Sequence, residues 1–128
     1  MASDKMRRSA LVVDDVMTVR ESLVMALASA GFEVTAASNG KEALEHLEKT
    51  DFDVLVTDMW MPEMDGLKLL KEIRGRKPHM RIFGVTGGGP RLTIEAMSSL
   101  AEIWGAEKVF LKPFDDDELI AAILAPGV

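Results

Sequence analysis

Five times along this 128-residue chain, a short apolar run gives way to a stretch with helical spacing. The runs are Ala10–Val13, Glu33–Ala37, Val54–Thr57, Arg81–Val85 and Val109–Leu111. The helical stretches are Met17–Ala30, a segment with Ala43, Leu44 and Leu47 ending near Lys49, Leu67–Arg74, Leu92–Trp104 and Asp115–Leu124. Short continuous apolar runs suit strands buried on both faces. Strand–helix alternation with short links predicts an α/β fold with parallel strands, right-handed crossovers and helices on both sheet faces. Punctuation agrees: Gly31 and Gly105 stop helices, and Ser38-Asn39-Gly40 makes a turn into one.

What ends the runs is as informative as the runs. The first ends in Asp14-Asp15, the third in Asp58, the fourth in Thr86 and the fifth in Lys112-Pro113. In an open parallel sheet the carboxyl ends of the strands share one edge, where ligands bind. Three carboxylates, a hydroxyl and an ammonium therefore converge, a set that suits a divalent cation and a phosphoryl group. Carboxylates so close together repel one another and raise at least one pKa unless a cation separates them.

Composition narrows the classes. With 48% apolar residues the chain can bury a core, and its length fits one domain. The formal net charge of -6, with basic residues scattered apart from Met6-Arg7-Arg8, argues against nucleic-acid binding. There is no cysteine, so disulfide and thiol chemistry are excluded, and two isolated histidines, His46 and His79, do not make a zinc site. No run approaches the ~20 apolar residues of a membrane span, and no signal-peptide pattern is present. The expectation is a cytoplasmic protein.

The segments Val12-Val13-Asp14-Asp15, Val56-Thr57-Asp58-Met59-Trp60-Met61-Pro62-Glu63-Met64-Asp65-Gly66, Val85-Thr86-Gly87 and Leu111-Lys112-Pro113-Phe114 resemble the receiver domain of two-component response regulators. The resemblance is to the single-domain, chemotaxis-regulator type. Each segment alone is a weak signal; four in order at strand ends are specific. The likeness spans residues 9–125. It implies a receiver domain over 9–128, a frayed segment over 1–8, and a five-stranded flavodoxin-like sheet in the order 2-1-3-4-5, which spacing alone does not give.

The resemblance also implies roles. Asp58 would be the phosphoacceptor. Asp15, Asp58 and the Trp60 carbonyl would ligate Mg²⁺, with Asp14 acting mainly through water; a carbonyl contact is indifferent to the Trp60 side chain. Lys112 would reach a phosphoryl oxygen, and in the resting state it would pair with Asp58. Thr86 would offer its hydroxyl and Gly87 its N–H. The Lys112–Pro113 bond would be cis. The phosphoryl group would come from a phosphohistidine on a histidine kinase or phosphotransfer domain, and a stand-alone receiver would pass the change to a downstream protein target. Such a domain is not an enzyme beyond its own phosphorylation and dephosphorylation.

Two positions depart from the family pattern. Receivers often carry an aromatic three residues before the lysine, and here that residue is Val109. Phe110 does not substitute, because neighbouring strand residues face opposite ways. A switch through the Gly87–Pro90 loop and the following helix is then expected instead. Trp60 is large for its place; it either shields an acyl phosphate from water or merely packs on Met61 or Met64.

Blander readings stand beside these. Asp14-Asp15 could cap the following helix, Asp58 could be a turn acid, Thr86 a plain strand residue and Lys112 a surface lysine. Asp115-Asp116-Asp117-Glu118 reads as an acidic helix start rather than a metal cluster. Trp104 reads as core. Met17 could border a partner-docking surface. Gly87-Gly88-Gly89 lacks the Lys-Ser/Thr of a phosphate-binding loop. Three other functions compete: a Mg²⁺-dependent aspartyl-phosphate phosphohydrolase, a receiver-like binding module that is never phosphorylated, and a flavin binder. Adjacent first-strand acids and the lack of a capping insert weaken the first. The complete site set weakens the second, and the missing Ser/Thr-rich phosphate loop weakens the third.

Overall fold

The computed structural model describes residues 8–61, 64–73, 75–77, 79–87 and 93–126. Its strands are β1 (Ser9–Val13), β2 (Glu33–Ala37), β3 (Val54–Asp58), β4 (Arg81–Thr86) and β5 (Ala106–Leu111). Its helices are α1 (Met17–Ser29), α2 (Gly40–Lys49), α3 (Gly66–Ile73), α4 (Ile94–Ile103) and α5 (Asp116–Leu124). All strand pairs are parallel, in the order β2-β1-β3-β4-β5. Most of the expected 1–8 segment, Pro62-Glu63, Arg74 and the Gly88–Leu92 stretch lie outside the described residues.

Period-two alternation sorts the central strands onto two cores. Leu11, Val13 and Leu55 face α2, α3 and α4, whose Ala43, Leu47, Leu69, Leu70, Met97 and Ala101 are buried with them. Ala10, Val12, Val54 and Val56 face α1 and α5, meeting Leu23, Leu27, Leu119 and Ile123. β3 is buried along its whole length, while the edge strand β2 is mostly not. The middle of the sheet is thus dry, and a polar group at the end of β1, β3 or β4 enters a site walled by apolar residues.

Helix starts follow local chemistry. The Asn39 side chain accepts the Glu42 N–H at 2.8 Å, and the Glu42 carboxylate accepts the Ser38 N–H and hydroxyl at 3.0 and 2.8 Å. Those Ser38 bonds, backbone first, hold the Glu42 carboxyl below its ordinary range. Thr93 caps α4 and Asp115 caps α5. Asp116, Asp117 and Glu118 occupy the first turn of α5, as an acidic helix start requires. Gly31 and Gly105 adopt the left-handed conformation after α1 and α4, with φ of 98° and 112°.

One boundary differs from expectation by three residues. β5 begins at Ala106, not Val109. The charged pair Glu107-Lys108 hides the strand in the sequence. Ile82 pairs with Ala106 but Phe83 with Lys108, so Glu107 is the extra residue of a bulge. Its carboxylate takes the Arg81 guanidinium through two bonds, at 2.7 and 2.9 Å. Arg81 also donates to the Ile123 carbonyl at 2.7 Å, tying β4 and β5 to the end of α5.

Candidate phosphorylation and metal site

Register delivers the site. Val13 pairs with Thr57, so Asp14 emerges beside Asp58. Asp58 pairs with Val85, so Thr86 lies one residue beyond. Thr86 pairs with Leu111 and its carbonyl accepts the Lys112 N–H at 2.7 Å, so Lys112 follows on the outer strand. The four groups that a linear reading finds at the ends of separate runs therefore share one edge. Asp14, Asp58 and Thr86 are buried, and Asp15 is exposed.

Lys112 Nζ lies 3.0 Å from Asp14 Oδ2 and 3.3 Å from Asp58 Oδ2. The expected resting pair with Asp58 is present, and Asp14 joins it. Burial works against the ammonium, but the two carboxylates outweigh it and raise the Lys112 pKa. Asp14 Oδ1 accepts the Val16 N–H at 2.9 Å. Asp14 Oδ2 is fully buried, with the Lys112 ammonium as its charged neighbour.

Asp58 is under electrostatic strain. Burial first, and the Asp14 charge second, push its pKa up to about 6, against the Trp60 N–H at 3.2 Å and Lys112. A carboxylate left short of positive charge is what a divalent cation relieves. Asp14, Asp15 and Asp58 each present one ligand atom, all within 4.8 Å of one another. Hard oxygen donors converging from three carboxylates, two of them buried, fit Mg²⁺. The capping alternative for the acidic pair fails: α1 takes Val16 as N-cap, with no side-chain cap bond.

Close packing sets the distance from β3 to α3. A Cβ on Gly66 would lie 2.3 Å from the Asp58 carbonyl oxygen and 2.9 Å from Met59 Cα. Only glycine lets α3 start so near the strand that carries Asp58. Gly87 borders the site, since a Cβ there would lie 4.0 Å from Cβ and Cδ of Lys112. The Lys112–Pro113 peptide is cis, as the resemblance implies.

The departures hold their expected places. Val109 packs against the core beneath α2, α3 and α4, whereas Phe110 is buried in the other core, its ring 6.5 Å from that of Phe114. Phe110 is on the wrong face to follow Thr86. Trp60 is half-buried against the core that contains Met61, with Met64 also packed there, and its Nε1 is buried with no acceptor among the described residues. Trp104 is half-buried rather than fully core, with Lys71 Nζ 5.3 Å from its ring centroid.

Sequence reasoning missed two contacts here. One is the Asp14–Lys112 pair, which depends on side-chain reach. The other is Arg20, whose Nη1 donates to the Asp14 main-chain carbonyl at 2.8 Å. A carbonyl acceptor leaves no mark in the residue pattern.

The chain is similar to known proteins. A family model described as the response regulator receiver domain matches residues 10–124. The chain is 41% identical over 115 residues to the transcriptional regulatory protein FixJ of Azorhizobium caulinodans, covering 89% of this chain and 52% of that protein. It is 41% identical over 112 residues to the DNA-binding transcriptional regulator NtrC of Escherichia coli strain K12, covering 88% of this chain and 23% of that one. It thus spans about half of the first relative and about a quarter of the second. It is 32% identical over 120 residues to the chemotaxis protein CheY of Thermotoga maritima, covering 92% of this chain and 96% of CheY. Among solved structures, a CheY-like receiver domain protein from Methanospirillum hungatei JF-1 superposes with a TM-score of 0.82 at 28% identity. That match covers 91% of this chain and 90% of the other.

Proposed function

Because the chain belongs to the response regulator receiver family, we propose that Asp58 accepts a phosphoryl group from a phosphohistidine, and that the change switches a protein-interaction surface. The donor is a histidine kinase or a phosphotransfer domain. The protein acts as a cytoplasmic receiver domain over residues 9–128, with no activity on other substrates. Among the described residues, no helix is long and apolar enough to cross a membrane. One observation carries the reading: a buried carboxylate, Asp58, sits within reach of a lysine and two further carboxylates at the sheet edge.

A carboxylate attacking a phosphoryl group faces charge repulsion; Asp15, Asp58 and the Trp60 carbonyl would hold Mg²⁺, with Asp14 behind, and the ion would supply the neutralising charge. Asp58 Oδ forms the new O–P bond as the P–N bond to the donor imidazole breaks. Lys112, poised between Asp14 and Asp58, shifts to a phosphoryl oxygen as a point charge. The Thr86 hydroxyl and the Gly87 N–H take other oxygens. Catalysis here is positioning and charge compensation. Val16 and Met17, exposed beside the acidic pair at 44% and 59%, offer the donor an apolar foothold. With Val109 in place of an aromatic, the signal leaves through the loop after Thr86 and α4.

Incubation with Mg²⁺ and acetyl phosphate tests this. Intact mass should show one added phosphoryl group on the wild-type protein and none on Asp58→Ala. An equally labelled Asp58→Ala protein would reject the assignment. If Trp60 shields the acyl phosphate, Trp60→Asn should lose its label about tenfold faster, equivalent to about 1.4 kcal/mol of barrier. An unchanged lifetime would leave Trp60 a packing residue.

A further inference from the structure

Asp14 is held at nearly every polar atom. Its N–H donates to the Ala37 carbonyl at 3.2 Å, Oδ1 accepts from Val16, and Oδ2 faces Lys112. Its carbonyl is the exception to ordinary secondary-structure bonding. β1 has ended at Val13, and the first bond of α1 runs from the Arg20 N–H to the Val16 carbonyl at 2.9 Å. The Asp14 carbonyl thus falls between strand and helix. Arg20 Nη1 reaches back from the first turn of α1 to take it at 2.8 Å.

We propose that Arg20 is a positioning residue for the divalent cation: by holding the Asp14 carbonyl it fixes the Asp14–Asp15 peptide plane and so the direction in which Asp15 presents its carboxylate. This rests on the metal-dependent reading above. Asp15 needs such help. It is exposed, and it precedes a helix start that has no side-chain cap and no acidic residue in its first turn. Asp14 and Asp58, by contrast, are set by burial and by Lys112.

Arg20 is anchored for this task. Its side chain is half-buried, and its charge is felt by Glu42 at the start of α2. The charges acting on Asp58 are instead those of Asp14 and Lys112. A planar guanidinium also fixes a carbonyl's direction better than a point charge does.

Charge and positioning pull in opposite directions here. Arg20 is a cation near a site that binds a cation, so removing it by Arg20→Met relieves repulsion and tightens metal binding if charge alone matters. If positioning dominates, the same change weakens binding. Residues that orient a metal ligand typically contribute 10–100-fold in affinity.

The experiment is Mn²⁺ binding to the full chain, with free Mn²⁺ counted by electron paramagnetic resonance at low and high salt. Arg20→Met should bind about tenfold more weakly than wild type, and the deficit should survive high salt. Arg20→Lys, which keeps a donor and the charge, should fall between them. Far-UV circular dichroism reports folding; if Arg20→Met is unfolded, Arg20→Gln takes its place with the same expectation. In an Asp15→Asn background the Arg20 substitution should add little further loss. Equal or tighter binding by the neutral variant, or an undiminished effect without the Asp15 charge, would overturn the proposal. Wild-type protein that binds no Mn²⁺ would instead remove the metal-dependent reading beneath it.

Discussion

Asp58 is a carboxyl group that burial and Asp14 push up to about 6 from an ordinary 3.8. Its folded-state pKa lies above its unfolded value, so the folded protein binds a proton that the unfolded chain releases. Its contribution to stability is therefore full below about pH 4 and is lost as pH rises through about 6. At neutral pH without metal, ionised Asp58 destabilises the fold. Asp58→Asn should raise the stability of metal-free protein at pH 8 by about 1–3 kcal/mol, and the gain should shrink as pH falls from 7 to 4. Urea unfolding in EDTA at several pH values measures it; a variant less stable than wild type at pH 8 would contradict the strain. The placement of Asp58 and Lys112 is legible because each ends an apolar run. The double pairing of Lys112 is not, because the run shows where a side chain starts and not how far it reaches.

Elements place these residues, and the tightest placement is between β3 and α3. Gly66 opens α3 against the Asp58 carbonyl, with backbone atoms on the far side that cannot rotate away. Gly66→Ala should cost about 1–3 kcal/mol as overpacking and slow phosphorylation by acetyl phosphate, because the strand end that carries Asp58 must move. Normal phosphorylation at normal stability would show that α3 shifts freely. The same scale explains the misread start of β5. Its edge position needs few apolar residues, and its bulge turns Glu107 toward Arg81, so Ala106-Glu107-Lys108 carries no strand pattern. Central β3, buried at all five residues, is unmistakable for the opposite reason. Phe110 was readable too, since alternation alone sends it away from Val109.

At the scale of the molecule, two dry cores flank one sheet, and charge is admitted to the interior at its carboxyl edge. The class of fold follows from alternation of strand and helix; the order β2-β1-β3-β4-β5 follows from family resemblance and not from spacing. That order matters, because it seats β1 directly beside β3 and so brings Asp14 and Asp15 to Asp58. The proposed chemistry then comes down to a single atom pair, a carboxylate oxygen of residue 58 and a phosphorus. Borohydride reduction converts an aspartyl phosphate to homoserine, and peptide mapping locates it. After treatment with acetyl phosphate and Mg²⁺, the expected result is homoserine at position 58, absent when EDTA replaces the metal. Homoserine at another acidic position, or at 58 without a divalent cation, would contradict the site described here.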